Sequence, residues 1–424
     1  MGLLGLGTVA QGVLDIIGAQ PARLAARAQR PLQVDAVASR RLREEATLHG
    51  ARFSTDLEAL VAEPALDLIV ECIGGIEPAR SLVAAALTAG KSVVTANKAL
   101  IAEHGNELEA LAAQHDVRLA YEAAVAGGIP VLNALTAGLS ANRIDWLAGI
   151  INGTSNYILT AMAQGGQSFA EALADAQRLG YAEADPTFDV GGIDAAHKLA
   201  ILAALAFDTQ FAFAQLPVEG IEQVTPEDMD YAQQLGYVIK HVGLARRHEQ
   251  GLDARVHPAL VPKEALLART DGVTNAVVVG GDAVGITAYV GPGAGRLPTA
   301  SAVVADLVAL ARDVLPPRIA TESLRPVGIE QARCGYYLHL PCLDEPGVFA
   351  KVATVLGAFD ISIDSVIQRE QAVDRASGSP RVPVVLITHR VAEAALRQAV
   401  AELEALPAVV GTVRVIRVEQ FDDR

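Results

Sequence analysis

The sequence predicts an α/β chain in three parts: a doubly wound parallel sheet, a mixed α+β middle domain and a C-terminal module ordered βαββαβ. Three observations predict this. Short apolar runs alternate with helical patterns through the first 130 residues, and such βαβ alternation implies a parallel sheet with helices on both faces. A glycine turn, Gly5-Leu6-Gly7-Thr8-Val9-Ala10, separates the first apolar run from the first helical pattern. Beyond residue 334, two helical patterns fall among four strand-like runs.

At 424 residues the chain has room for two or three domains. Hydrophobic residues make up 51% of it, enough for several packed cores. A formal net charge of -15 argues against a nucleic-acid backbone or an anionic membrane as partner. Three cysteines, Cys72, Cys334 and Cys342, show no CxxC spacing. They imply a reducing compartment, with neither a disulfide framework nor a zinc site. No secretory pattern opens the chain and no apolar run is long enough to span a bilayer, so a cytoplasmic location is expected.

In the first domain, residues 1–130, the run Gly2 to Leu14 reads as strand, turn and helix. Only four residues precede Gly5, short for a central strand, which suggests a natural start further upstream. Strands are expected at Leu32–Ala38, Leu66–Cys72, Ser92–Thr95 and Val117–Tyr121. Gly5, Gly7 and Ala10 fit G-x-G-x-x-G/A, a turn that presents helix N-terminal N–H groups to a pyrophosphate. The expected fold is therefore Rossmann-type, with Gly5, Gly7, Thr8 and Val9 against a dinucleotide. The end of the second strand reads Ser39-Arg40-Arg41, with no carboxylate before Glu44. A basic residue there suits a 2′-phosphate, so Arg40 favours NADP over NAD. The competing reading has both arginines opening a solvated helix with Glu44 and Glu45.

Gly74 follows the third expected strand, and Thr95 and Lys98 stand at the end of the fourth, all at the rim where an open α/β sheet meets its ligand. Cys72 reads as a small buried hydrophobe rather than a nucleophile, since no base lies near it in sequence. The loop Tyr121 to Pro130 sets glycine-bordered carbonyls beside Glu122, a combination suited to a monovalent cation.

The middle domain, residues 131–295, is expected to hold a strand at Ile144–Ile151, a turn at Asn152–Asn156 and helices at Tyr157–Ala163 and Phe169–Leu179. Further strands are expected at Val256–Leu260, Ala276–Val279 and Gly285–Val290, and the glycine-rich run to Gly295 lets backbone approach a ligand closely. A helix at Thr299–Leu315 is expected to pack back on the first domain, which residues 296–325 complete. A linker follows, to Arg333.

The third part, residues 334–420, reads as strand Tyr336–Leu340, helix Gly347–Phe359, strands Ile361–Gln368 and Val382–His389, helix Val391–Leu406 and strand Gly411–Val418. That order is ferredoxin-like. The polar loop Asp374–Arg381 reads as mobile. The module carries no nucleophile or metal cluster, so a regulatory role is expected.

The densest chemistry lies between Gly180 and Leu202. Glu183, Asp185, Asp189 and Asp194 crowd a turn-rich stretch that enters an apolar helix bearing Lys198. Asp194 and Lys198 are four residues apart and share a helix face. A solvated pair of that kind contributes about 0.3–0.5 kcal/mol. The apolar remainder of the helix instead puts the pair in an internal cavity.

Over essentially its full length the chain resembles the homoserine dehydrogenases. The resemblance is carried by Gly5-Leu6-Gly7-Thr8-Val9, Val94-Thr95-Ala96-Asn97-Lys98, Glu122 with Gly127-Gly128-Ile129-Pro130, Gly153-Thr154-Ser155-Asn156-Tyr157, and the stretch from Gly180 through Lys198. The C-terminal module looks like an ACT domain, and the absence of a kinase domain before the dinucleotide fold resembles the monofunctional form. The resemblance implies reversible interconversion of L-homoserine and L-aspartate 4-semialdehyde with NAD(P). It makes Lys198 the proton donor and acceptor and Lys98 a second lysine on the substrate. Glu183 and Asp194 then bind the amino group of homoserine, with Asp189 in the same shell. It further implies cofactor contacts at Gly180 and Gly295, a sodium ion held by Glu122, Val125, Gly127 and Ile129, L-threonine as an effector, and a homodimer or homotetramer. Ala10 departs from the family's usual glycine.

The chemistry fits these residue types. Hydride addition to an aldehyde places negative charge on oxygen, which an ammonium can stabilise and protonate. Oxidation needs the neutral amine, and a free lysine titrates near about 10.4, so homoserine oxidation is expected to quicken as pH rises. Two other readings remain at this point: a semialdehyde dehydrogenase working through a Cys72 thiohemiacetal, and a catalytically silent nucleotide sensor.

Overall fold

The computed structural model describes residues 1–210, 213–315, 320–368 and 381–421. The chain forms two compact units: Met1–Gly153 with Ile193–Leu216 and Val273–Leu324, and Thr154–Gly192 with Pro217–Gly272 and Arg325–Arg424.

The first unit contains the parallel sheet. Its strands are β1 (Gly2–Leu4), β2 (Ala36–Ala38), β3 (Arg52–Ser54), β4 (Leu68–Glu71), β5 (Ser92–Thr95) and β6 (Leu119–Ala120), in the order β3-β2-β1-β4-β5-β6. Each neighbouring pair is parallel, with Leu3 against Val37 on one side and Val70 on the other. The order reverses between β1 and β4, and the crevice beyond their carboxyl ends is where such sheets take ligands. β1 has only three residues, all buried. Helix α1 (Thr8–Ala19) starts at the glycine turn, and α2 (Lys98–Gln114) starts where the Asn97 side chain accepts the Leu100 N–H.

Strand β7 (Ile144–Ile150), helix α3 (Ile193–Ala206), strands β8 (Thr274–Gly281) and β9 (Gly285–Pro292) and helix α4 (Arg296–Ala311) complete this unit. β8 pairs antiparallel with both β7 and β9. That pairing joins residues 131–153 to 273–295, and both stretches belong to the compact unit that holds the parallel sheet, which therefore runs past the expected boundary at residue 130. Helix α4 packs on α1 so closely that a Cβ on Gly12 would lie 2.6 Å from the Arg296 carbonyl oxygen. The helix ends at Ala311, so among the described residues of the expected completing segment 296–325 only the first sixteen are helical.

The second unit is built on the long antiparallel hairpin Tyr237–His248 and Gly251–Pro262. The strand Arg414–Val418 lies parallel to the hairpin's second arm, followed in order by Arg333–Leu343, Arg381–Thr388 and Ile363–Gln368. With helices Val348–Ala358 and Glu393–Glu404 this is the expected βαββαβ module, its core filled by residues such as Tyr336, Leu338, Leu356 and Leu396.

Several local expectations are corrected. The helix expected at Tyr157–Ala163 runs Gly153–Gly165, so most of the Asn152–Asn156 turn is its first turn. A short helix, Thr187–Val190, stands in the stretch expected to be turn-rich, because Pro186 leads into it and the N–H groups of Asp189, Val190 and Gly191 close on the Pro186 and Thr187 carbonyls. The loop expected at Asp374–Arg381 lies outside the described residues up to 380. Among the described residues no helix is long and apolar enough to cross a membrane.

Candidate active site

Helix α3 is buried along its whole length from Asp194 to Ala206. Burying a charge without a partner costs several kcal/mol, and here the partners are present. Lys198 Nζ donates to Asp194 Oδ2 at 2.8 Å and to the Ile151 carbonyl oxygen at 2.7 Å. Lys98, the first residue of α2, places its Nζ 2.8 Å from Asp194 Oδ1. Asn152 Nδ2 donates to Asp194 Oδ2 at 2.8 Å. One carboxylate thus sits between two ammonium groups, and the cluster keeps one excess positive charge. Burial alone would raise the Asp194 carboxyl; the adjacent Lys198 and Lys98 overcome it and hold the group well below the usual carboxylate range.

An ammonium group has three N–H donors. Two of those on Lys198 are committed to Ile151 and Asp194, which leaves one direction for a substrate oxygen. Beside it on α3, His197 is buried, with its ring edge-on to Phe213 and Nε2 3.7 Å from Glu103. Burial, with a smaller contribution from Lys98, pushes the His197 imidazole below its ordinary value.

The cofactor side of the same unit is arranged around Glu71, a fully buried carboxylate at the end of β4. Its Oε1 accepts the N–H groups of Ile73, at 2.6 Å, and Gly74, and its Oε2 accepts the Thr95 hydroxyl. Gly74 and Thr95 are therefore held together at the rim by one side chain. Asn97 closes the arrangement, donating to the Gly75 carbonyl oxygen at 2.6 Å. Gly5 has φ +93, and a Cβ there would fall 2.6 Å from the Cys72 carbonyl oxygen, so the turn requires glycine. Gly7 precedes Thr8 and Val9 at the start of α1 with no side chain capping the helix, and a Cβ on it would meet nothing within 4 Å. Open N–H groups and open space there fit a pyrophosphate. Arg40 is exposed just beyond β2, and no carboxylate pairs with it among the described residues. Gly295 is the residue before α4, at φ +127. Cys72 is half-buried with its thiol pushed up by burial and by the Glu71 charge, which suits a hydrophobe and not a nucleophile.

The Glu122 loop is buried. The Glu122 carboxylate accepts the N–H groups of Leu132 and Asn133 and the Asn133 side-chain amide. Burial still raises it above its ordinary value. Ala126 and Gly127 have φ of +52 and +47, and the Ile129 carbonyl takes the Val131 N–H at 2.8 Å. The Glu122 side chain is engaged elsewhere. No group of three or more His, Cys, Asp or Glu suited to a metal occurs among the described residues.

Glu183, Asp189 and Gly180 belong to the second unit. Gly180 ends the helix Phe169–Arg178 at φ +77. Gln177 Nε2 donates to the Glu183 carbonyl oxygen at 3.1 Å, and the Glu183 side chain is exposed. Ser155 Oγ donates to the Asp189 carbonyl oxygen at 3.0 Å and Thr154 Oγ1 to that of Tyr181 at 2.7 Å. These two hydroxyls pin the acidic loop. Sequence reasoning missed Glu71, Asn152 and His197. Glu71 alone carried a usable signal, a solitary carboxylate inside the apolar run Leu68-Ile69-Val70-Glu71-Cys72.

Comparison with known proteins agrees with this geometry. The homoserine dehydrogenase family model matches residues 130–308, the homoserine dehydrogenase NAD-binding domain matches residues 5–122, and an ACT domain matches residues 342–408. A homoserine dehydrogenase of Pseudomonas aeruginosa is 48% identical over 435 residues, spanning 100% of this chain and 99% of the relative. This chain belongs to the homoserine dehydrogenase family. A homoserine dehydrogenase of Neisseria gonorrhoeae is 42% identical, again over 100% of this chain and 99% of its own. The crystal structure of a homoserine dehydrogenase from Thiobacillus denitrificans superposes with a TM-score of 0.93 at 48% identity, covering 99% of this chain and 97% of that one. Homoserine dehydrogenases are NAD(P)-dependent oxidoreductases that interconvert L-homoserine and L-aspartate 4-semialdehyde, and this is the activity of the chain.

Proposed function

We propose that Lys198 exchanges the hydroxyl proton of homoserine, with Lys98 and Asp194 fixing its charge and direction. The carrying observation is the uncommitted third donor on a buried ammonium whose other two are tied down. In aldehyde reduction that N–H meets the carbonyl oxygen, stabilises the developing oxyanion and delivers the proton. In oxidation the neutral amine takes the hydroxyl proton. A bound nicotinamide supplies the hydride donor or acceptor.

Three of the four acceptor positions of Asp194 are filled by Lys98, Lys198 and Asn152, so it acts mainly through the lysines. The substrate's ammonium is assigned to Glu183, with Asp189 beside it, on the family motif. The cofactor reading is NADP, with NAD as second choice. Arg40, exposed just beyond β2, supports it. Gly5, Gly7, Thr8, Val9, Gly74, Thr95, Gly180 and Gly295 are assigned to that cofactor, and the Val125 and Gly127 carbonyls, with Glu122 and Ile129, to sodium. L-Threonine is the proposed effector of the ACT domain, in a cytoplasmic enzyme. A homodimer or homotetramer is favoured by β9, whose Ile286 and Val290 stand 48% and 54% exposed on an edge strand. The test is homoserine oxidation with NAD and NADP in parallel, with and without threonine. Equal efficiency with both cofactors would remove the role given to Arg40.

A further inference from the structure

Glu71 is fully buried, and among the described residues no cation meets it. Dipoles alone hold its charge: the N–H groups of Ile73 at 2.6 Å and Gly74 at 3.2 Å on Oε1, and the Thr95 hydroxyl on Oε2. Thr95 Oγ1 in turn accepts the Asn97 N–H at 3.0 Å, and Asn97 caps α2, the helix that begins with Lys98. An uncharged side chain could accept the same donors at a lower cost of burial. A full charge kept there without an ion pair points to a positive group that arrives with a ligand.

The rim beside it is open. Gly74 and Gly75 have φ of +81 and +73, and a Cβ on either would meet nothing within 4 Å. Arg40 lies beyond β2, on the other side of β1 from β4 and β5. A dinucleotide laid across the switch point with its 2′-phosphate at β2 brings its nicotinamide end to β4 and β5. There Lys98, Lys198 and Asp194 already leave one excess positive charge. The oxidised nicotinamide ring is cationic and the reduced ring is neutral, so the oxidised cofactor adds a second.

We propose that Glu71 sets the balance of the site between the two redox states of its cofactor, its charge offsetting that of the oxidised ring. The inference rests on the assignment of Gly74 and Thr95 to the cofactor. Glu71 is a positioning residue as well, since it braces both of these against the crevice. Holding the oxidised form more tightly makes the bound reduced form a stronger hydride donor, which favours aldehyde reduction on the enzyme.

The test measures dissociation constants of NADP⁺ and NADPH by calorimetry on the full-length protein, without homoserine. Glu71→Gln keeps the shape and an acceptor for the two N–H groups while removing the charge. The constant for NADP⁺ should rise about tenfold or more and that for NADPH about threefold at most, as expected for one charge across a partly screened site. Glu71→Asp keeps the charge, so the ratio of the two constants should stay within about twofold of the wild type even where both rise. A ratio unmoved by glutamine, or moved by aspartate as far as about tenfold, overturns the proposal; the aspartate variant decides alone if the glutamine variant does not fold. The cofactor assignment is judged separately with Glu71→Ala, which frees both Gly74 and Thr95. Unchanged affinity for both cofactors in that variant would remove these residues from the cofactor site, whereas equal losses for both cofactors in the alanine and glutamine variants would keep them there and remove the role of the charge.

Discussion

Asp194→Asn isolates the contribution of one charge to the proposed site. The carboxylate lies 2.8 Å from both Lys98 Nζ and Lys198 Nζ, and the substitution keeps its size while removing its charge. At about 4 Å between charge centres and an effective dielectric constant near 20, a single pair is worth about 4 kcal/mol. The Ile151 carbonyl stays in place to support the ammonium, and Lys98, with a side chain 35% exposed, is partly screened by water, so the expected net loss is smaller, about 2–3 kcal/mol. Turnover should fall by about 10²-fold, because Lys198 loses the partner that aims it. The assay is kcat and kcat/KM for homoserine. Values unchanged from the wild type would refute the electrostatic argument.

Other substitutions test separate parts of the account. Arg40→Ala should raise KM for NADP by about tenfold, the loss of one charge-assisted contact, and leave KM for NAD unchanged; equal effects on both would deny the 2′-phosphate role. Cys72→Ser should retain most turnover, and phosphate-dependent activity lost on that change would revive the thiohemiacetal route. Asp306 is pushed up to about 8 by burial and by the nearby Glu122 charge, while its carboxylate oxygen accepts the Glu122 N–H at 2.8 Å. Between about pH 4 and 8 the unfolded carboxyl ionises and the folded one does not, so wild-type stability declines as pH rises through that window. Asp306→Asn keeps an acceptor without that penalty. Its unfolding free energy from urea titration should gain on the wild type by about 2 kcal/mol or more from pH 5 to pH 8, and a gap independent of pH would contradict the assignment.

The parallel sheet was legible because strands buried on both faces read as short apolar runs, and five of the six fall within a few residues of their expected places. β3 was missed because Arg52-Phe53-Ser54 is too short and too polar to show a pattern. The hairpin arm Tyr237–His248 was missed for a different reason. It carries Lys240 and His241 in its buried stretch, and their polar groups are satisfied from afar, Lys240 by the Thr270 carbonyl oxygen at 2.7 Å and Asp271 at 2.8 Å, His241 by the Glu219 carbonyl oxygen at 3.0 Å. Charge inside a strand hides the strand when its partner lies thirty residues away. The candidate site divides along the same line. Asp194 and Lys198 were visible because one helical turn joins them, whereas the approach of Lys98 and Asn152 to the same carboxylate is made only by the tertiary fold.

The most direct measurement on the central claim is the turnover of Lys198→Ala beside its affinity for NADPH. Removal of a general acid–base group costs about 10²- to 10⁴-fold, so homoserine-dependent NADPH formation should drop at least into that range while NADPH fluorescence titration returns the wild-type affinity. Turnover within a factor of ten of the wild type would show that the proton is carried by another group.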